Sequence, residues 1–188
     1  IWGTKRNVAG YRGVGYSKER GDHPLINAES VTEVERFNWP RANDFQFAAM
    51  VELLRTVPDK ACWVGPRAGI TEGGLSHRDA AGLPGAWVPF VCTLFELFGF
   101  EETLMKFYDR PELIEAAIYH IEAFILDLSR RVLEASKGLA DIFWFGDDFA
   151  TARGLMMSPE HWRKFLKPTY KKIFHLAKSH RRKVWFHC

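Results

Sequence analysis

The stretch from Tyr108 to Gly138, YDRPELIEAAIYHIEAFILDLSRRVLEASKG, constrains the fold more than any other. Leu113, Ala117, Ile121, Phe124, Leu128 and Val132 recur every three or four residues, which gathers them on one face of an α-helix. Asp109 stands where a helix cap belongs, Pro111 in the first turn, Glu112 at the capping-box acid, and Gly138 past the end. A helix this long must bury its stripe, and the next segment offers a surface. ADIFWFG is brief, apolar and aromatic-rich between Gly138 and Gly146, which predicts a buried strand.

The pattern then repeats. In SPEHWRKFLKPTYKKIFHLAKSH, Ser158 is a cap, Pro159 takes the first helical position, and Trp162, Phe165, Leu166, Ile173, Phe174 and Ala177 form the buried stripe. Pro168 falls inside that pattern and predicts a kink or a division. KVWFHC reads as another strand. Apolar strands joined by crossover helices pair in parallel, so the fold class is α/β, and a doubly wound sheet and a barrel both satisfy it. In either, function collects beyond the carboxyl ends of the strands.

The first half is less periodic. Val31, Val34 and Phe37 share one face of a short helix that Pro40 ends; Phe47, Met50, Val51 and Leu54 mark a second, stopped by Pro58; Ala61 to Gly65 reads as a short buried strand. Pro66 to Trp87 is glycine-dense and reads as a long loop inserted in one domain spanning residues 1–188. No GxGxxG or GxxxxGK[ST] phosphate-binding fingerprint occurs in it, and the chain holds no HExxH, CxxC or GxSxG motif.

A chain of 188 residues, 47% hydrophobic and 14% aromatic, sustains one globular core. No apolar run approaches the roughly 18 residues of a membrane span, IWGTKRNVAG lacks the order of a signal peptide, and Cys62, Cys92 and Cys188 form no disulfide pattern. The expectation is a soluble, cytoplasmic chain with reduced thiols. From Ser158 onward nine Lys/Arg residues face Glu160 alone, first a solvated helix face and second an anion-attracting one; neither nucleic acid nor membrane is taken as a partner.

Asp147 and Asp148 follow the strand Ile142 to Phe145, and His187 and Cys188 end the next one. All four are expected on one rim. Adjacent acids serve as a general acid or base, as acceptors for a polar substrate or as ligands of a hard cation; the alternative is that one caps a loop or helix and the other is solvated. Imidazole beside thiol is a candidate soft-metal pair.

PDKACWVG, LFELFGFEETLMKFYDRPELIEAAI and the stretch from ADIFWFGDDFATARGLMMSPEHWRKFLKPTYKK to the final HC resemble successive segments of the uroporphyrinogen decarboxylase superfamily; IWGTKRN and HPLINAESVTEVERFNWP resemble the preceding region of its methyltransferase-like members. The resemblance implies a TIM (βα)8 barrel, of which this chain is an incomplete part lacking N- and C-terminal pieces, with exposed sheet edges and a homodimer left open. It implies Asp147 and Asp148 as catalytic residues, Gly146 and Arg153 as substrate-binding residues, and His187 with Cys188 as metal ligands, although Cys188 stands one residue early for the family's His-x-Cys spacing.

Two chemistries follow from the resemblance. Members that transfer methyl groups use zinc and a corrinoid or thiol, the corrinoid as substrate or on a partner protein; true decarboxylases act on a tetrapyrrole without a cofactor. The turn FGDD, in place of Phe-Asp-Ser, favours the methyltransferase-like branch. A genuine uroporphyrinogen decarboxylase, and a non-catalytic fragment or binding module, are the alternatives.

Overall fold

The computed structural model describes residues 23–68 and 86–188. In chain order these form α1 (Val31–Glu35), α2 (Ala48–Arg55), β1 (Trp63–Val64), β2 (Arg67–Ala68), β3 (Ala86–Trp87), α3 (Val91–Phe98), α4 (Phe100–Asp109), α5 (Pro111–Ala135), β4 (Ile142–Gly146), β5 (Ala150–Thr151), β6 (Gly154–Leu155), α6 (Pro159–His161), α7 (Lys167–Ser179) and β7 (Lys183–His187). A π-turn over Trp162–Leu166 joins α6 to α7. The architecture is mixed α/β, and no closed barrel exists among the described residues. None of the described helices is long and apolar enough to cross a membrane.

Strands β1, β4 and β7 make one parallel sheet in that order. Its register puts Val64, Phe143 and Val184 on one face, with Phe145 and Phe186 one pleat further along. This face meets the helices. Phe143 and Phe145 are fully buried with Ile121, Ile125 and Leu128 of α5 and with Ile173 and Ala177 of α7, while Val64 packs with Leu54 of α2 and Val132 of α5. Burying each such Phe stabilises the fold by about 1.5–3 kcal/mol. The opposite face carries Trp63, Ile142, Trp144 and Trp185, which belong to neither core. The rings of Trp63 and Trp144 lie 5.4 Å apart, and Trp185 is 56% exposed.

Most local expectations hold, with physical adjustments. All six stripe residues of α5 are buried. Asp109, however, does not cap it: α4 runs through Asp109, and Arg110 takes the cap position, its guanidinium 2.8 Å from the Glu112 carboxylate. Ser158 caps α6 as expected, accepting the His161 amide at 3.1 Å. Pro168 divides the helix through the π-turn. The Lys167 amide bonds the Trp162 carbonyl five residues back, and this wider turn accommodates a proline ring that would clash with the carbonyl four residues earlier. Phe165 and Leu166 both remain buried.

Strand β1 is shorter than the expected Ala61 to Gly65. A Cβ on Gly65 would stand 2.2 Å from the Trp144 carbonyl oxygen, so the chain passes the neighbouring strand there only as glycine. The stretch Pro66 to Trp87 is not loop throughout, because Arg67–Ala68 pairs antiparallel with Ala86–Trp87. Residues 69–85, the rest of that expected loop, lie outside the described residues, as does IWGTKRN.

Candidate functional site

The carboxyl ends of β4 and β7 lie side by side because Gly146 pairs in register with His187. The Asp147 amide extends that ladder, donating to the His187 carbonyl at 3.0 Å. Gly146, expected to bind substrate, is buried in this ladder. Past it the two acids part.

Asp147 is fully buried, not on the rim. Its Oδ2 accepts the Phe90 amide at 3.0 Å, the Val91 amide at 2.6 Å and the Tyr170 hydroxyl at 2.6 Å. Its Oδ1 accepts the Cys92 and Asp148 amides, each at 3.1 Å. The cause lies in α3. That helix is buried at every position but Glu96, and it begins with Phe90 in the cap position, which has no side-chain acceptor for its orphan amides. The carboxylate of Asp147 supplies the missing cap from more than fifty residues away, with a charge that suits a helix N-terminus. Burial pushes the Asp147 carboxyl above its ordinary value, opposed by the Tyr170 hydroxyl and the Val91 and Cys92 amides. Tyr170 is in turn pushed well above the usual phenol value by burial and by the neighbouring carboxylate.

Asp148 turns the other way. Its carboxylate lies 3.8 Å from His187 Nε2; the side chains are 32% and 59% exposed respectively. These two groups, from consecutive strands of the sheet, form the accessible acid–base pair of the rim. The hairpin β5–β6 follows, and Arg153 sits exposed in its turn, its amide donating to the Thr151 hydroxyl at 3.1 Å. Arg153 makes no ion pair among the described residues.

Cys188 follows His187. Partial burial raises its thiol above the ordinary value, against the Phe149 and Ala150 amides that favour the thiolate. Among the described residues, no group of three or more His, Cys, Asp or Glu side chains is placed to hold a metal ion. His187 and Cys188 are thus two adjacent potential ligands with no third one beside them among the described residues.

Sequence reasoning brought Asp148 and His187 to one rim and missed Tyr170 and the amides of Phe90 to Cys92. One signal pointed to them: the run PFVCTLFELF offers a buried helix start without Ser, Thr, Asp or Asn, so its cap must come from elsewhere in the chain.

The fold and site thus define an α/β protein with a polar rim at the carboxyl ends of parallel strands. Comparison with family models, with curated proteins and with solved structures finds no match.

Proposed function

We propose that the chain is part of an enzyme of the uroporphyrinogen decarboxylase superfamily, in its methyltransferase-like branch, built on a (βα)8 barrel. The observation that carries this reading is the winding of the sheet. Strands β1, β4 and β7 are neighbours in chain order, and among the described residues the helices between them pack on one face, that of Phe143 and Phe145. Sequential parallel strands with helices on a single face are the local arrangement of a barrel, an arrangement that one βαβαβ half of a doubly wound sheet shares. The rim residues then face the mouth of the barrel, where such enzymes work.

In this reading His187 is the general base and Asp148 its electrostatic partner. When a thiol acceptor attacks a methyl group, the S–H proton passes to His187, sulfur forms the new S–C bond, and the methyl donor leaves with the electrons of the broken bond. Asp148 stabilises the imidazolium that results. Arg153 offers a cation for a substrate carboxylate, and Asp147 holds the loop ends beneath. A corrinoid is the other acceptor of this class.

The test uses the intact protein in parallel assays: methyl transfer to a reduced corrinoid and to a thiol, and conversion of uroporphyrinogen to coproporphyrinogen. Methyl transfer that fails in His187→Ala supports the reading. Coproporphyrinogen as the only product overturns the branch assigned and moves the protein to the cofactor-free decarboxylases.

A further inference from the structure

The basic excess near the C-terminus resolves into two unlike sets. Lys164 and Lys172 face α5, where Glu115 and Glu122 meet them at 3.6 and 2.5 Å. Lys167, Lys171, His175 and Lys178 lie elsewhere on α7, at steps of four, four and three residues that put them on one stripe. All four are exposed. Arg163, exposed in the π-turn, continues the stripe at its N-terminal end. Among the described residues none of the five makes an ion pair. From Lys167 to Lys178 the stripe runs about 16 Å at 1.5 Å per residue.

We propose that this stripe is a docking surface for a protein presenting an acidic helix. Lysines one turn apart match carboxylates one turn apart on a partner helix, which gives charge complementarity along the full length. The opposite side of α7 is already spent: Tyr170, Ile173 and Ala177 are buried in the core. No apolar face is left to enter a lipid surface. The net charge of +3 is small for a nucleic-acid binder. Beyond the N-terminal end of the stripe, Tyr108 and Met105 stand 61% and 60% exposed, with the Tyr108 ring 4.2 Å from that of His161. Exposed Tyr and Met beside a charged stripe are the side chains that anchor protein interfaces. Helix α7 starts next to the rim, so a partner seated here reaches the mouth of the site.

The experiment measures binding of three probes to the intact protein by fluorescence anisotropy or cosedimentation at low salt: a labelled helical peptide with Glu at every fourth position over four turns, a 16-base-pair DNA duplex, and phosphatidylserine vesicles. Two triple reversals carry the same change of net charge, K167E/K171E/K178E on the stripe and R55E/K60E/K137E at other exposed positions. Circular dichroism verifies that each variant is folded. The expected result is salt-dependent peptide binding that the stripe reversal weakens about tenfold or more and the distant reversal leaves within about twofold. Equal weakening by both, absence of peptide binding, or tighter binding of DNA or vesicles than of peptide overturns the proposal.

Discussion

Tyr170 donates its hydroxyl to the Asp147 carboxylate across 2.6 Å, and this one contact ties α7 to the end of β4 in the buried interior. The same carboxylate holds the first amides of α3. Asp147 is therefore a joint of three elements. Truncation to alanine strands three buried amides and a buried phenol, each costing about 1–3 kcal/mol when left unpaired. Asp147→Ala is expected to lose at least about 4 kcal/mol in urea denaturation, and Tyr170→Phe about 1.5–3 kcal/mol, the range for a bond to a charged acceptor. A loss under about 1 kcal/mol in Asp147→Ala would contradict the capping role.

The pH dependence of two acids runs in opposite directions. Burial raises Asp147, so its folded-state proton is held more tightly than the unfolded one. The proton-linked part of its contribution, separate from the hydrogen bonds it accepts, is complete below the ordinary aspartate value of about 3.9 and is lost as pH rises through the raised value. Glu33 closes the capping box of α1 with Ser30, and hydrogen bonds from the Glu29 amide, the Ser30 hydroxyl and the Ser30 amide lower its value. Its contribution is present above the ordinary glutamate value and is lost as pH falls through the lowered one. Urea midpoints from pH 3 to 7 are expected to show wild type losing ground to Asp147→Asn as pH rises, and gaining ground on Glu33→Gln. Parallel trends would refute the assignment.

Gly65 is the tightest point of the sheet. A methyl group 2.2 Å from the Trp144 carbonyl oxygen cannot be relieved by a rotamer change, because the obstacle is backbone. Gly65→Ala is expected to cost about 3 kcal/mol or more, and thus to lower the thermal midpoint by roughly 6–12 °C for a chain of this size. A midpoint within about 2 °C of wild type would mean that β1 does not pass β4 as described.

The two faces of the sheet are expected to respond differently. Phe145 is fully buried under α5 and α7, and Phe145→Ala removes a core ring at about 3–5 kcal/mol. Trp185, on the neighbouring strand and the other face, is 56% exposed, and in the 188-residue chain Trp185→Ala is expected to cost under about 1 kcal/mol, whereas in a closed barrel that face is interior and the cost approaches that of Phe145→Ala. Comparable losses in the two variants would show that the tryptophan face is also packed.

Local pattern made much of this fold legible. The stripe of α5 depends on residues three and four apart, so Leu113 through Val132 announced both the helix and its buried side. Ser158 and Pro159 marked a helix start because capping is also local. Asp109 misled for the same reason: its type suits a cap, yet the preceding helix extends through it. Asp147 was the harder case. Adjacent acids past a strand suggest a rim, and the partners that draw one of them inward, Phe90 to Cys92 and Tyr170, lie 55–57 residues before it and 23 after it. Separations of that size leave no periodic trace. Asp148 and His187 were legible on one rim because one follows a strand and the other ends one, and strand ends of one parallel sheet share an edge.

The role proposed for that pair has its own kinetic signature. Asp148 and His187 are both solvent-accessible, and neither supports the core, so their replacement is expected to leave the urea midpoint unchanged. His187→Ala removes the proposed general base, a role whose contribution is typically about 10²–10⁴ in rate. In the proposed mechanism Asp148→Asn removes only the stabilisation of the imidazolium; at 3.8 Å and partial exposure a loss of about two- to fivefold in kcat is expected. Because Asp148 acts through His187, the double variant should be no slower than His187→Ala alone, whereas independent groups would multiply their losses. Asp147→Asn is the internal control, expected to lower stability before it lowers the rate constant of the folded fraction. Multiplicative losses in the Asp148 and His187 pair would separate the two residues and return Asp148 to a solvated surface acid.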